Sequence, residues 1–309
     1  FSKSSDSPDL SLEIKNDLNW NQWLIKTKKD LSKNFDSSTL KHLDELSYNP
    51  KVIELDRKQP EFKLTFNEYV DKRLTKNKRY EVRNKYRENK HLLDKIEALY
   101  NVDPRVIISL WGIETSFGSY IGKFNILRSL ASLAYDGRRK EFFYKELKNA
   151  LTIIDNKHIK IKNFKGSWAG AFGQTQFMPS TFVKYAVDFN NDKKINLFQK
   201  DEALASAANY LTKIGWKKNL IWGEKINLKI NDKYKNLAKK KVYKNRSYWE
   251  SNGIMLKKKY NDNEKLRLIT PDSVDNQSYL VTSNFDVILR WNRSNYFALV
   301  VFLLSDEIK

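Results

Sequence analysis

One carboxylic acid, Glu114, lies in the strongly apolar segment LWGIETSFGS at positions 110–119. In a helix that starts at Pro104 and runs to about Phe117, Glu114 falls on the inward-facing stripe, because apolar residues precede it at intervals of three and four. These residues are Ile107, Leu110 and Trp111. A carboxyl group on such a stripe is either paired or holds its proton to unusually high pH. Both interpretations stay open from spacing alone, and only a protonated acid could donate to a leaving group near neutral pH.

A second segment, GSWAGAFGQTQFMPS at 166–180, combines glycines with neutral polar side chains. The glycines allow the backbone to approach a ligand closely, and the polar side chains offer uncharged donors and acceptors. They are Gly166, Gly170 and Gly173, with Ser167, Gln174, Thr175 and Gln176. Neutral polar groups beside aromatic residues suit a sugar, whereas the glycine spacing matches neither a phosphate-binding loop nor a dinucleotide-binding motif. The alternative is a tight turn that packs two helices together.

The periodicity of apolar residues predicts a mainly α-helical protein that positions these two segments. Helical spacing extends over 10–46, 69–100, 127–154 and 179–211. Asp103 and Pro104 are typical of an N-cap and a first-turn proline, and two short helices near the C-terminus are separated by Ser294, which caps the second. The segment 51–66 contains Pro60 and mixed alternation, which predicts an extended crossing segment.

Lysine-dense, short alternating runs distinguish the region after Trp222 from the rest of the chain. They predict strands and turns in a small appended subdomain. We therefore divide the chain into consecutive parts. These are an N-terminal helical region (1–87), a helical core that contains Glu114 (88–222), the Lys-rich irregular or β-containing subdomain (223–283) and C-terminal helices that close the core (284–309).

The net charge of +20 favours polyanionic partners, a class that includes nucleic acid, anionic membranes and acidic cell-wall polymers. A nucleic-acid binder should show a recognised module or basic clusters interleaved with exposed aromatic residues, and the Lys run at 233–244 shows this only faintly. The chain has no cysteine, which excludes disulfides, thiol nucleophiles, zinc-thiolate sites and a lipid-anchoring cysteine within it. A first residue of Phe1 is typical of a processed or trimmed product, which allows export.

In these segments the chain resembles the lytic murein transglycosylase B family, bacterial enzymes that cleave peptidoglycan glycan strands. The similar blocks occur in the family's order and touch most of the chain from Trp20 to Asp306. They are VIELDRKQPEFKLTF, WGIETSFGSYIGKFNILRSLASLAYDGRR, GSWAGAFGQTQFMPSTFVKYAVDF, ALASAANYLTKIGW and NFDVILRWNRSNYFALVV. The resemblance implies a mainly α fold with a lysozyme-like helical core, additional N- and C-terminal helices and a small irregular or β-containing subdomain.

The resemblance also implies that Glu114 is the single catalytic acid and base. The resemblance places Ser167 and Gln176 in the active site, and Arg138 and Arg139 near the stem peptide. It places Tyr69 and Tyr210 in the saccharide groove. Trp291 and Asn292 correspond to two consecutive residues, Tyr and Asn, of the family. Trp291 in place of Tyr removes a hydroxyl, so the resemblance carries over the stacking of this position but no particular hydrogen bond. The alternative is that the aromatic residues belong to the core and that the arginines form a solvated pair.

Cleavage of a glycosidic bond needs a proton for the departing oxygen and support for an oxocarbenium-like centre. No second acid is placed like Glu114, and the family resemblance implies that one suffices: the N-acetyl group of the muramic sugar supports the anomeric carbon, and the 6-hydroxyl closes a 1,6-anhydro ring. The apolar stripe is expected to lift the pKa of Glu114 toward roughly 6 to 7. A hydrolytic muramidase and a non-enzymatic glycan- or nucleic-acid-binding protein are the alternatives.

The segment DFNNDKKINLFQKDE at 188–202 resembles an EF-hand loop, at which some family members bind calcium. Lys193 stands where such loops have glycine, and Gln199 stands at the closing glutamate, so a closing carboxylate would come from Asp201 or Glu202. The candidate ligands of a structural Ca²⁺ are Asp188, Asn190, Asp192 and Glu202. A polar turn between two helices is the alternative, and we expect that no cofactor is required.

The resemblance implies a periplasmic protein whose partners are peptidoglycan glycan strands with stem peptides. The carboxylates of those peptides suit a chain of net charge +20, and the attraction should weaken with salt. The longest apolar stretches are far below the roughly 20 residues that span a bilayer. We therefore expect a monomer that is not transmembrane and does not bind nucleic acid.

Overall fold

Helices make up most of the computed structural model, as the periodicity predicted, and the structure describes residues 18–58, 64–273 and 276–309. In the first half of the chain the helices are α1 (Trp20–Leu31), α2 (Ser37–Leu40), α3 (Pro50–Arg57), α4 (Phe66–Arg73), α5 (Lys76–Glu88), α6 (Lys90–Tyr100), α7 (Pro104–Thr115), α8 (Ile126–Asp136) and α9 (Lys140–Asp155). In the second half they are α10 (Pro179–Tyr185), α11 (Lys200–Lys213), α12 (Asp232–Lys239), α13 (Arg246–Ser251), α14 (Ser283–Trp291) and α15 (Asn295–Ser305). The predicted helical region 10–46 begins outside the described residues.

Two small antiparallel sheets accompany the helices in the described ranges. The strands are β1 (Phe124–Asn125), β2 (Lys165–Gly166), β3 (Gly223–Ile226), β4 (Tyr243–Asn245), β5 (Lys265–Ile269) and β6 (Ser278–Val281). β1 pairs with β2, and the larger sheet has the order β3-β6-β5-β4. Tyr234 of α12 and Trp249 of α13 pack against its buried leucines, so the Lys-rich region builds a small core of its own.

The larger helical part contains a core around α7 and another around α8 and α9. Ile107 and Leu110 of α7 are fully buried against Phe302 of α15, and Leu130 of α8 is buried in the second core. Trp291, the last residue of α14, packs against both cores. We call the place where the two cores meet the seam. It is lined by α7, α14 and the Gly-rich segment 166–180.

The helix that carries Glu114, α7, begins as predicted and ends slightly earlier. The Asp103 carboxylate accepts a hydrogen bond at 2.9 Å from the backbone N–H two residues on, and Pro104 takes the first helical position. The last helical residue is Thr115, because Ser116 and Phe117 adopt left-handed backbone with φ of 47° and 59°. Glu114 therefore lies in the final turn.

Lys78 of α5 donates hydrogen bonds to acceptors at the C-terminal end of α7. Its ammonium donates to the Gly112 carbonyl at 3.2 Å and to the Ser116 hydroxyl at 2.8 Å. A cation at this end is favourable because the last carbonyls of a helix carry partial negative charge. Lys78 thereby holds the turn that presents Glu114.

The prediction of an extended segment over 51–66 is wrong for its described part, because α3 occupies most of it. Pro50 sits at the first helical position, where its missing N–H is not needed. The buried side chains lie at helical spacing and are Val52, Ile53 and Asp56. Pro60, on which the prediction rested, falls in 59–63, outside the described residues.

The predicted helical regions 127–154 and 179–211 are each interrupted. Gly137 ends α8 with its N–H bonded to the Leu133 carbonyl, and α9 starts only at Lys140. In the second region, residues 186–199 form a loop in which side-chain oxygens accept backbone N–H bonds and so compete with helix formation. Ser294 caps α15 as predicted, accepting from the Phe297 N–H at 3.2 Å.

Candidate active site

Glu114 is half-buried at the seam between the two cores. Its Oε1 accepts a hydrogen bond from the indole N–H of Trp291 at 2.8 Å. Burial raises the pKa of Glu114 to about 7, against opposition from that hydrogen bond and from the positive charge of Arg73. Within the described ranges Glu114 forms no salt bridge, so the carboxyl group is a proton-holding acid rather than half of an ion pair.

Ionisable groups of α4 lie around Glu114. The guanidinium of Arg73 lies over the Tyr69 ring, 5.3 Å from its centroid. Burial raises the pKa of the Tyr69 hydroxyl, against opposition from the positive charge of Arg73, and the charge of Glu114 adds to the rise. Sequence reasoning missed Arg73, although its spacing of four from Tyr69 puts the two on one helix face.

Replacement of Glu114 by Gln is expected to stabilise the fold at alkaline pH. The folded-state pKa of about 7 exceeds the ordinary value of 4.5, so the folded protein binds this proton more tightly than the unfolded chain does. As the pH rises through this window the wild type loses up to about 3 kcal/mol of unfolding free energy, which the Gln variant keeps. In thermal melts we expect equal midpoints at about pH 4 and a higher midpoint for Glu114→Gln at about pH 8. Equal midpoints at both would show that the carboxyl is not desolvated.

Hydrogen bonds tie the end of α7 to the Gly-rich segment. The Thr115 hydroxyl donates to the Gln174 backbone carbonyl at 2.6 Å, and the Trp111 indole donates to Gln174 Oε1 at 2.8 Å. Gln174 Nε2 in turn donates to the Phe198 carbonyl at 2.7 Å. Both ends of the Gln174 amide, one of the predicted donors and acceptors of this segment, are therefore used inside the protein.

Ser167 and Gln176 keep polar atoms that a ligand could use. Ser167 Oγ accepts from the Ala171 N–H at 3.0 Å, which leaves its hydroxyl proton to donate. Gln176 has a φ of 57°, and its NH₂ group donates to the carbonyls of Ile121 at 3.2 Å and Gly173 at 2.9 Å. The amide oxygen of Gln176 is therefore the atom it can offer.

Close backbone contact brings the loop after α7 against the Gly-rich segment. Gly122 has a φ of 90°, and a Cβ there would lie 2.2 Å from the Gly166 carbonyl carbon and 2.7 Å from the Ser167 nitrogen. Only glycine fits such an approach. The loop that follows Glu114 and the segment that carries Ser167 are therefore locked together.

An aromatic wall, defined as Trp291, Tyr210, Tyr185 and Phe177, adjoins Glu114. The Tyr210 ring lies 5.3 Å from Trp291 at 36° and 4.6 Å from Tyr185 at 32°. Phe177 meets Trp291 edge-on at 5.6 Å and 73°. The rings of Trp291, Tyr210 and Tyr185 are half-buried and can stack on the apolar faces of sugars, whereas Phe177 is 2% exposed and packs against Trp291. The structure thus brings the predicted Tyr210 and Trp291 together, while Phe177 and Tyr185 were missed.

Trp291 forms a hydrogen bond although the hydroxyl is missing, because its indole N–H serves as the donor and reaches Glu114. Its neighbour Asn292 is exposed and ends α14. Asn292 Oδ1 accepts from the Ser294 N–H at 3.0 Å, which shapes the turn into α15.

Arg138 and Arg139 lie at the break between α8 and α9 and contact residues other than Glu114. The Arg138 backbone N–H donates to the buried Asp56 at 2.8 Å, and its guanidinium lies 3.7 Å from the same carboxylate. The Arg139 guanidinium lies 4.7 Å from the centre of the Phe142 ring. Both side chains are exposed, so they form a cationic edge rather than part of the acid's surroundings.

The EF-hand-like loop gathers three of its four predicted ligands. Carboxylate oxygens of Asp188, Asp192 and Glu202 lie within 4.8 Å of one another. Glu202 is 1% exposed, and its Oε1 has no hydrogen-bond partner among the described residues. The Asn190 side chain accepts the Asp192 N–H at 3.0 Å and lies exposed in the same loop. A buried oxygen left without a partner, facing two further carboxylates, is a donor set that fits a hard cation such as Ca²⁺.

Lys193 does not prevent the sharp turn that EF-hand loops make at this position. Its φ of 68° is left-handed, and its N–H donates to Asp188 at 2.8 Å. The loop therefore holds a lysine in the conformation that glycine usually supplies.

A surface cavity of about 660 Å³ lies at the opposite end of α7, beside Asp103 and Trp222. Four of its charged groups form two ion pairs: Arg105 lies 2.6 Å from Asp103, and Lys258 lies 3.3 Å from Asp306. Because these charges satisfy each other, we place the chemistry at the Glu114 end of the helix.

Comparison with solved structures shows the class of protein. SltB3 from Pseudomonas aeruginosa is 34% identical with a TM-score of 0.88, covering 93% of this chain and 79% of that chain, and was solved in complex with NAG-NAM-pentapeptide and with NAG-anhNAM-pentapeptide. The Escherichia coli lytic transglycosylase Slt35 in complex with calcium is 27% identical with a TM-score of 0.79, covering 92% and 91% of the respective chains. The fold is therefore that of the mainly helical, lysozyme-like lytic transglycosylases.

The sequence comparisons show the family. Residues 19–306 match the transglycosylase SLT domain, and the chain belongs to that family. The membrane-bound lytic murein transglycosylase B of Escherichia coli (strain K12) is 32% identical over 219 residues, which is 70% of this chain and 60% of that protein. In the described part of the chain, every helix is too short or too polar to cross a bilayer.

Proposed function

We propose that this protein is a peptidoglycan lytic transglycosylase that cleaves the β-1,4 bond between N-acetylmuramic acid and N-acetylglucosamine and leaves a 1,6-anhydromuramic acid end. The observation that carries the proposal is a half-buried acid, Glu114, with a pKa raised to about 7 by burial, which bonds Trp291 of the aromatic wall and lies on a helix tied to the polar Gly-rich segment. The relative SltB3, bound to fragments with and without an anhydro sugar, supports the substrate class.

In the first step Glu114 acts as an acid. Its proton passes to the glycosidic oxygen as the bond from that oxygen to the anomeric carbon breaks. Because the pKa of Glu114 is about 7, a large share of the resting protein carries the donor proton at neutral pH. The N-acetyl oxygen of the muramic sugar supplies electrons to the anomeric carbon, which removes the need for a second carboxylate.

In the second step the Glu114 carboxylate acts as a base. It takes the proton from the 6-hydroxyl of the same sugar while that oxygen forms the new bond to the anomeric carbon and displaces the N-acetyl oxygen, which regains its electron pair. No water enters the products, and Glu114 regains its proton for the next turnover. A nucleophile that is already part of the bound sugar avoids the entropic penalty of recruiting water.

The remaining predicted residues bind and orient the strand. The Ser167 hydroxyl can donate to a sugar oxygen and the Gln176 amide oxygen can accept from a sugar hydroxyl, as their internal hydrogen bonds allow. Tyr69, which senses the charge of Glu114, and Tyr210, which packs on Trp291, offer ring faces to the sugars. The exposed cations of Arg138 and Arg139 suit the carboxylates of stem peptides, and Asn292 shapes the turn at the end of α14.

Digestion of purified sacculi, followed by mass analysis of the soluble muropeptides, tests the proposal. A transglycosylase releases products that each lack one water relative to hydrolysis products. A hydrolytic muramidase would yield reducing ends that retain the water, and a glycan-binding protein would release nothing. Either result would overturn the proposed reaction.

We also propose that the EF-hand-like loop binds a structural Ca²⁺ through Asp188, Asn190, Asp192 and Glu202. The buried, unpartnered oxygen of Glu202 supports this, and the calcium complex of Slt35 supports it for a relative. A bound Ca²⁺ would neutralise the clustered carboxylates and fasten the loop to the start of α11. It takes no part in the steps at Glu114.

Calcium is expected to raise the melting temperature. At a Ca²⁺ concentration about 100 times the dissociation constant, binding adds about 2.7 kcal/mol of stability, or a shift of about 5 °C. Glu202→Gln should abolish the shift, whereas Asp201→Asn, a matched change at the adjacent exposed acid, should keep it. Melts that do not respond to millimolar calcium would contradict the site.

We propose that the protein acts as a monomer in the periplasm, where its partners are peptidoglycan strands with stem peptides. The excess of basic residues, a net charge of +20, suits an acidic polymer. Binding to isolated sacculi should therefore weaken as salt is added.

A further inference from the structure

We propose that Trp291 is a positioning residue for Glu114. Its indole N–H binds the carboxyl oxygen Oε1, so that the proton which Glu114 gives and takes is carried by Oε2. The inference rests on the proposed function, in which the same carboxyl group first gives and then takes a proton. The inference states which carboxyl oxygen of Glu114 exchanges the proton, and what keeps that oxygen directed at the sugar.

The chemistry of the donor makes the assignment. An indole nitrogen can donate a hydrogen bond and cannot accept one. Oε1, 2.8 Å from the Trp291 nitrogen, is therefore an acceptor whether Glu114 is ionised or neutral. In a neutral carboxyl group the carbonyl oxygen is a better acceptor than the hydroxyl oxygen, so the proton of the neutral acid resides on Oε2. A tyrosine hydroxyl could either donate or accept, and would leave the choice of oxygen open.

Packing fixes the direction in which the indole N–H points. Trp291 is held edge-on by Phe177 at 5.6 Å and against the face of Tyr210 at 5.3 Å. It is the last residue of α14, whose Asp286 is bound by the buried guanidinium of Arg267. The donor therefore sits on a rigid element, and so needs no rearrangement when charge appears on Glu114.

The hydrogen bond also acts on proton affinity, because it favours the carboxylate over the neutral acid. Other charged and titratable groups face Glu114 from α4 and α5. Those of α4 are Arg73, whose charge lowers the pKa of Glu114, and Tyr69, and that of α5 is Lys78, which bonds the Gly112 carbonyl and the Ser116 hydroxyl at the end of α7. They stay in place when residue 291 is changed, so a comparison of variants at this position isolates the contribution of the indole N–H.

The test is the pH profile of sacculus digestion by Trp291→Phe. Activity needs protonated Glu114 and falls as pH rises through its pKa. Without the donor the carboxylate is less stabilised, so the falling limb should move upward by about one pH unit. The rate on the acidic plateau should drop about tenfold, because the carboxyl group is no longer held in one orientation.

Two further variants separate the hydrogen bond from packing. Benzothienylalanine at position 291 keeps the two-ring shape and replaces the N–H by sulfur. It should therefore move the falling limb of the pH profile upward, as Trp291→Phe does. Trp222→Phe removes another indole N–H that donates to a carboxylate, that of Asp306 at 3.2 Å, and should leave the limb at the wild-type pH.

A carbon-13 titration of the Glu114 carboxyl, assigned by its loss in Glu114→Gln, follows the proton without turnover. The inference predicts a higher midpoint in Trp291→Phe and in the benzothienylalanine protein. An unchanged midpoint and limb in both, or an equal shift in Trp222→Phe, would overturn it. If the wild type releases no anhydro products while the titration midpoints shift as predicted, the proposed reaction fails and the hydrogen-bond assignment stands.

Discussion

Glu114→Gln should lower the rate of glycan release from sacculi by about 10³-fold or more, because the variant has neither a proton to give nor a base to take one back. The side-chain oxygen of Gln can still accept from the Trp291 indole, so the seam stays packed. The amide has nearly the shape of the acid and differs in its proton chemistry. The loss is therefore expected in kcat at unchanged fold, measured by release of soluble muropeptides and by circular dichroism.

Glu146→Gln is a matched control for this change. Glu146 is also a buried carboxylate, 3% exposed on α9, where it accepts hydrogen bonds from Ser180. It lies in the second core and does not contact Glu114, so its replacement should leave activity within a few-fold of wild type. Full activity of a pure Glu114→Gln preparation would show that Glu114 is not the catalytic acid and base.

Asp286→Ala should lower the free energy of unfolding by about 3 kcal/mol, since it leaves the Arg267 guanidinium buried without its charge partner. Arg267 is 2% exposed on β5, and its Nε donates to Asp286 of α14 at 3.2 Å. The Tyr243 hydroxyl of β4 donates to the same carboxylate. These contacts join the Lys-rich subdomain to the helix that carries Trp291, so urea titrations should show the loss and activity should fall with it.

A double variant controls for the lost contact. Arg267→Met together with Asp286→Leu replaces the pair by apolar groups and removes the unpaired charge. Its unfolding free energy should recover most of the loss seen in Asp286→Ala. A loss below about 1 kcal/mol in the single variant would show that water reaches the guanidinium and that the pair does not fasten the subdomain.

Local patterns allowed the α7 end of the site to be predicted. The stripe that leads to Glu114 follows from helical periodicity, and the start of the helix follows from Asp103 and Pro104, all of which lie within one short segment. The pKa near 7 also follows from position, since an acid among apolar neighbours loses hydration. The family resemblance then connected Glu114 with its reaction.

The rest of the site could not be predicted because its contacts join distant parts of the chain. The Trp291–Glu114 hydrogen bond spans 177 residues, and no local spacing indicates it. Gln174 looked like a ligand-binding amide, yet its partners are Trp111 and Phe198, which only the fold brings near. The helix α3 was missed because a proline outside it was taken as a signal for the whole segment.

The most direct measurement of the central proposal is digestion of sacculi in water enriched in heavy oxygen. If Glu114 directs the sugar's own 6-hydroxyl to the anomeric carbon, the muropeptides released by the wild type carry no solvent oxygen at their muramic ends. Mass spectrometry should therefore show unlabelled anhydro ends in heavy-oxygen water. Reducing muramic ends that carry the heavy isotope would show that water is the nucleophile and would contradict the account.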